Sequence, residues 1–184
     1  KVADPRLYVS MFQPYNDSVL YVGQWKKILK NNMESYSNVN FKAWGAHKYT
    51  IIDRFWRDNQ WTGMNFYVLR LADVYLLYAE SLIKSGDVIG GLEYLNKVHR
   101  RAYDQPINTP SVYDYKTLTD RTKTVDATDV LANDPLKYER WAELFGEGNW
   151  WFDVRRFGIG AQEAAYYKKV QGGPLTWTDT KYAL

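Results

Sequence analysis

The stretch from Phe66 to Tyr103, FYVLRLADVYLLYAESLIKSGDVIGGLEYLNKVHRRAY, constrains the fold more than any other part of the chain. Leu69, Ala72, Leu76, Ala79 and Ile83 recur at spacings of three and four, which places them on one face of a helix. That helix is expected to end near Gly86, because Ser85-Gly86-Asp87 offers a glycine for a left-handed C-cap and an Asp to cap the next helix. This second helix, DVIGGLEYLNKVHRRAY, turns Leu92, Leu95, Val98 and Ala102 inward. Gly90 and Gly91 each lower helix propensity by about 1 kcal/mol relative to alanine, so close approach of the two helices is the expected reason for them. The pair reads as an antiparallel helical hairpin.

Such a hairpin resembles a tetratricopeptide unit, but arrays of that kind need about three repeats to bury their faces. No second copy occurs at that period, so other elements must complete the core. A third helix is expected from Asp134-Pro135, an N-cap acceptor followed by a proline at the first helical position, through PLKYERWAELFGEG. A short helix, NWWFDVRRFG, comes after it, and AQEAAYYKK can form another before the irregular end GGPLTWTDTKYAL. Between the hairpin and the third helix, residues 104–133 hold two prolines with many Thr and Asp. They read as a long surface excursion, a kind of segment that is often functional or mobile and is as often a plain insertion. Residues 1–65 show no sustained helical period, and Lys48–Asp53, KYTIID, suits a short strand. The expectation is a mainly α fold with long irregular loops: one domain over 1–184, loop-rich over 1–65 and helical over 66–184.

Composition narrows function. A formal charge of +3 without a block of Lys or Arg lacks the electrostatic footprint of nucleic-acid binding. The absence of cysteine removes disulfides, thiolate metal sites and Cys nucleophiles. No apolar run reaches the length of a membrane span, and the opening KVADPRLYVS is neither a signal peptide nor headed by Met. The chain is therefore expected to be a piece of a longer protein. The outlier is aromatic content, 17% with 8 Trp and 16 Tyr, more rings than a core of this size needs.

The densest chemistry lies in Glu139–Gly158, ERWAELFGEGNWWFDVRRFG. Glu139, Glu143 and Glu147 fall at i, i+4 and i+8, roughly one side of a helix. A glycoside hydrolase needs two carboxyl groups flanking the scissile bond at a gap of roughly 5 to 10 Å, and spacing along one helix does not guarantee that. Pairing with Arg70, Arg140, Arg155 or Arg156 is the expected use of these acids, with hydrolysis by Glu143 and Asp153 as the alternative. Glu80, on the inward-leaning part of the first helix, needs a cation such as Arg101 or an arginine of the third helix. Trp150, Trp151 and Phe152 are expected to pack partly inward. His47 and His99 fit no metal or triad spacing, and no glycine-rich phosphate loop follows a strand, so no metal, cofactor or catalytic residue is assigned.

A pyranose offers an apolar face of C–H groups to a ring, and its hydroxyls need amides, carboxylates or guanidinium groups at the ring's edge. WGAHKYTIIDRFWRDNQW has that composition, with Trp44, Trp56 and Trp61 among Arg57, Asp58, Asn59 and Gln60. Trp177 in the tail is a further candidate. For any one of these rings, partial burial in the core is about twice as common a use as ligand contact. The candidate ligand residues are Trp44, Trp56, Trp61, Trp177, Asp58 and Asn59.

Three motifs in order carry a family resemblance: Arg70-Leu71-Ala72-Asp73-Val74-Tyr75-Leu76 leading to Ala79-Glu80, then Asn96-Lys97-Val98 with Arg101-Ala102, then ERWAELFGEGNWWFDVRRFG. Together they resemble the C-terminal part of the SusD/RagB family, and Asp4–Leu7 and His47-Lys48-Tyr49 are similar to further family features. His99 stands where the family usually carries Arg, and Asn149 where a basic residue is common. The chain stops short of the Pro-rich end typical of full-length members. The resemblance implies a SusD-like helical fold with a tetratricopeptide-like hairpin. It also implies a surface-exposed outer-membrane lipoprotein, anchored by lipid outside this stretch, that binds oligosaccharide or another nutrient and delivers it to a SusC-like TonB-dependent transporter. Such a protein is a binder and not an enzyme. A glycoside hydrolase and a tetratricopeptide-like protein-interaction module are the alternatives.

Overall fold

In the computed structural model the described residues are 3–12, 18–21, 24–27, 45–46, 48 and 67–171. The chain divides into two compact units, Lys1–Val68 and Leu69–Leu184. Described by itself, the first unit begins with a short helix, α1 (Arg6–Ser10). Asp4 accepts hydrogen bonds from the backbone N–H of Arg6 at 2.9 Å and from its guanidinium at 2.7 and 3.0 Å, which ties down the chain just before that helix. Strand β1 (Met11–Phe12) pairs antiparallel with β4 (Gly45–Ala46), and β2 (Ser18–Tyr21) pairs antiparallel with β3 (Gln24–Lys27) in the register Ser18 to Lys27. Of the strand expected over Lys48–Asp53, all but Lys48 lies outside the described residues.

The second unit is helical. Helix α2 (Leu71–Ser85) ends at Gly86, whose φ of 96° is left-handed, and α3 (Val88–Ala102) starts with the Asp87 carboxylate accepting from the Gly90 N–H at 2.9 Å. The two helices form the expected hairpin and bury Leu76, Ala79, Leu95 and Val98. Tyr94 of α3 meets Tyr75 and Tyr78 of α2 edge to face, at 5.4 and 4.7 Å between ring centroids. Only one of the paired glycines serves close approach. A Cβ on Gly91 would lie 2.5 Å from Ile83 Cγ1 and 2.9 Å from the Ala79 carbonyl oxygen, whereas one on Gly90 would meet the Asp87 carboxyl group of the cap. Leu69 departs from the expected face. It precedes the helix and is exposed, because Arg70 adopts an extended backbone, φ −137°, and starts the helix one residue later.

Helix α4 (Pro135–Glu143) begins as read, with Asp134 accepting from the Lys137 N–H at 3.0 Å and Pro135 in the first turn. It ends earlier than its sequence suggests. Gly146 and Gly148 take positive φ, 77° and 83°, and turn the chain into α5 (Asn149–Phe157), which Gly158 closes at φ 66°. Helix α6 (Gly160–Gln171) comes next. Trp150 is half-buried against the cluster of Leu131, Tyr138 and Ala142, but Trp151 and Phe152 are exposed. The expectation that all three rings pack inward fails because successive helical residues point about 100° apart.

The excursion 104–133 contains no helix or strand, yet it is not loose surface. The Asn96 side chain donates to the Tyr115 carbonyl at 3.0 Å and accepts from its N–H at 2.9 Å, a two-point bond like that of a paired strand. This inserts Tyr115 against Ala79 and Leu95, so a loop residue completes the core of the hairpin.

Candidate ligand site

The buried acids of α4 and α5 are held in a lattice of ion pairs, which exposed Arg155 does not join. Arg140, almost fully buried, donates to Asp73 of α2 at 2.9 Å and to Asp153 of α5 at 2.7 Å, linking three helices. Arg156 donates to the other Asp153 oxygen at 2.9 Å and to Glu80, which Lys84 also reaches at 2.7 Å. The partner of Glu80 is therefore Arg156, on the short helix, and not Arg101 or an arginine of the third helix. Burial by itself would raise the Glu80 pKa, but hydrogen bonds from Arg156 and Lys84 outweigh it and hold the carboxylate below its ordinary range. Arg70 spans Glu143 and Glu147 with contacts of 2.5 and 2.7 Å, and Arg101 also donates to Glu143.

Glu139 is completely buried. It faces His99 Nδ1 at 2.7 Å and accepts from the Tyr115 hydroxyl at 3.2 Å, partners that helix spacing alone does not reveal. The hydrolase pair fares poorly in this setting. The side chains of Glu143 and Asp153 are only 3% and 2% exposed, and each is held by two arginines, so neither is presented to a glycosidic bond.

A different character prevails where α3 meets the excursion. A depression of about 360 Å³ is lined by His99, Tyr103, Tyr113, Asp120, Arg121 and Lys123, among others. Four rings step from the surface into the core. Tyr113, 46% exposed, stacks on Tyr103 at 4.6 Å and 22°; Tyr103 tilts against His99 at 4.6 Å; and His99 tilts against buried Tyr115 at 4.4 Å. At the buried end stands Glu139, bonded to the last two of these rings.

The rim of this depression is fastened at several points. Arg100 forms two bonds to Asp114, at 2.8 and 2.7 Å, and also donates to Glu93 and the Ile107 carbonyl. Burial opposes ionisation of Asp114, but the bond from Arg100 leads the effects that lower its pKa on balance. Asp120 caps its own loop. It accepts from the Thr117 hydroxyl and from the Lys116 and Thr117 N–H groups, bonds that lower its pKa, the hydroxyl's most. Thr122 is buried and donates its hydroxyl to the Leu131 carbonyl at 2.8 Å. The Arg121 guanidinium donates to oxygens of Thr122, Thr124 and Ala132, none of them a carboxylate. Lys123 is exposed and has no partner among the described residues.

Tyr103, Tyr113 and Lys123 are not singled out by motif, since they lie in or beside a stretch without periodicity. The alternating rings and acid of Tyr113-Asp114-Tyr115 are the signal that would have found them. Trp44, Trp56, Trp61, Trp177, Asp58 and Asn59 all lie outside the described residues. Among the described residues no group of His, Cys, Asp or Glu could hold a metal ion, and no helix is long and apolar enough to cross a membrane.

The described part of the second unit is mainly helical, its buried acids are held in ion pairs, and a ring-lined, polar-edged depression lies beside α3. The family comparison agrees: a family model described as the SusD family matches residues 1–183, and the chain belongs to that family. Members of this family are cell-surface, outer-membrane lipoproteins that bind glycans or other nutrients, work with SusC-like transporters and are not enzymes. No curated protein and no solved structure matches the chain.

Proposed function

We propose that this chain captures an oligosaccharide at the cell surface and passes it to a SusC-like TonB-dependent transporter, with a lipid anchor outside this sequence holding the protein on the outer membrane. Family membership across residues 1–183 carries the reading. The closed charge lattice supports it physically, because it commits the conspicuous acids to holding helices together. Capture needs no bond-breaking groups. Ring faces supply apolar contact, polar edges supply orientation, and release to the transporter requires an affinity that is modest rather than extreme.

Trp44, Trp56, Trp61 and Trp177, with Asp58 and Asn59 at ring edges, are the residues proposed to form the main platform. Calorimetric titration of the full-length protein with a panel of oligosaccharides tests the reading. Alanine at one or more of the four tryptophans is expected to weaken binding about tenfold or more, as loss of a buried aromatic anchor does. Unchanged affinity in all four variants would remove the tryptophan platform. Absence of binding across a broad panel would remove glycan capture itself.

A further inference from the structure

We propose that the depression beside Tyr113 is a subsite for an acidic sugar, taking one uronate unit of a captured glycan. Tyr113 is the stacking face and Lys123 the partner of the sugar's carboxylate. The inference rests on the glycan-capture reading and adds to it a class of ligand and two contact residues, Tyr113 and Lys123.

Size and preformation come first. A volume of about 360 Å³ lies at the lower end for small-ligand pockets, which suits one or two sugar rings. The walls are preset. Asn96 pins Tyr115, Arg100 pins Asp114, and Asp120 caps the turn before Arg121, so little ordering is left for binding to impose. Tyr113 is partly open to solvent and backed by Tyr103 in a near-parallel stack, which fixes its ring as a platform before a ligand arrives. A ring held from behind loses little freedom when a pyranose lies on it.

Charge then selects the kind of sugar. Asp114 is satisfied by Arg100, and Asp120 by the hydroxyl and N–H groups of its own loop. Among the charges that line the depression, Asp120 also has Lys116 as a charged neighbour, and Arg121, whose hydrogen bonds go to carbonyl and hydroxyl oxygens, has Asp129. Lys123 has no partner among the described residues. The depression thus presents one ammonium without a counter-charge, and an anionic group completes it. A planar carboxylate on a stacked pyranose combines both demands, since the ring's C–H face meets Tyr113 while the carboxylate meets an ammonium at the edge.

The experiment is titration of the full-length protein with trigalacturonate and with its neutral counterpart, galactotriose, at two salt concentrations. Wild-type protein is expected to bind the uronide more tightly, with a preference that shrinks as salt screens the charge. Lys123→Gln is expected to weaken uronide binding about fivefold, the upper range for an exposed ion pair, and to leave the neutral sugar unaffected. Tyr113→Ala is expected to weaken uronide binding about tenfold through loss of the ring. Both positions are exposed, and circular dichroism will show whether each variant retains the helical fold. Equal uronide affinity in wild type and both variants would overturn the subsite and leave glycan capture standing. So would binding of galactotriose without binding of trigalacturonate. Failure to bind any glycan in a broad panel would overturn both.

Discussion

Two regions of the second unit hold the same ingredients, aromatic rings beside acids and bases, and use them in opposite ways. Across α2, α4 and α5, Arg70, Arg140 and Arg156, joined by Lys84 and Arg101, bridge Glu143, Glu147, Asp73, Asp153 and Glu80, so the charges neutralise one another. Around the depression the acids are equally well satisfied and Arg121 is tied to its own loop, but Lys123 is exposed without a partner among the described residues and Tyr113 keeps part of its ring in solvent. Residue type does not distinguish a helix clamp from a ligand site; the state of the partners does. A buried charge without a partner would cost several kcal/mol, so the first region had to close. An exposed charge is under no such demand, and the second region can stay open for a ligand.

The largest effect comes from opening the closed region. Arg140→Leu leaves Asp73 and Asp153 without their shared guanidinium, and urea unfolding is expected to show a loss of about 3–5 kcal/mol. Stability within about 1 kcal/mol of wild type would show that the lattice is solvated and contradict the comparison. Next comes the hairpin that carries both regions. Gly91→Ala forces a methyl group into Ile83 and the Ala79 carbonyl, with an expected loss of about 1–3 kcal/mol. Gly90→Ala meets a movable Asp87 side chain, and its loss is expected to stay within about 1 kcal/mol, the range of a helix cap. Equal effects at the two glycines would mean that the helices do not touch at Gly91.

A smaller effect has the opposite sign. Burial raises the Glu163 pKa, against a weaker opposing hydrogen bond from Trp150, so the folded protein favours the neutral acid. Holding it ionised therefore reduces stability at pH above its folded value. Below its unfolded value it is protonated in both states and the penalty vanishes. Glu163→Gln should thus raise Tm at pH 7 and lose that advantage as pH falls. The lattice acid Glu80 behaves in reverse, because its folded pKa is lowered. Its contribution is present above its unfolded value and is lost as pH falls through the folded one. A Glu163→Gln advantage that persists undiminished in acid would show that the gain is not electrostatic.

Much of the helical frame was legible from short-range chemistry. Gly86 with Asp87, Asp134 with Pro135, and Gly158 each mark a helix end by a backbone conformation or a side-chain cap, and these are local properties. Long-range pairing was less legible. The carboxylate at Glu80 clearly needed a cation, yet periodicity cannot tell which of several arginines on separate helices arrives, and Arg156 does. Leu69 fits the period of α2 but lies outside it, since Arg70 starts the helix. Tyr113 and Lys123 belong to an aperiodic stretch whose path is set by Asn96 and Arg100 of the preceding helix. The motif Glu139–Gly158, which looked the most chemical, identifies the family and holds the helices.

The central claim is that the chain binds glycan with its rings and holds its helices with its acids. Incubating the full-length protein with an oligosaccharide that calorimetry shows it to bind, and following the reducing ends over time, tests that claim most directly. Saturable binding with no increase in reducing ends over a no-protein control is the predicted result. A protein-dependent release of reducing ends that disappears in Glu143→Gln or Asp153→Asn would contradict it and make those buried acids catalytic.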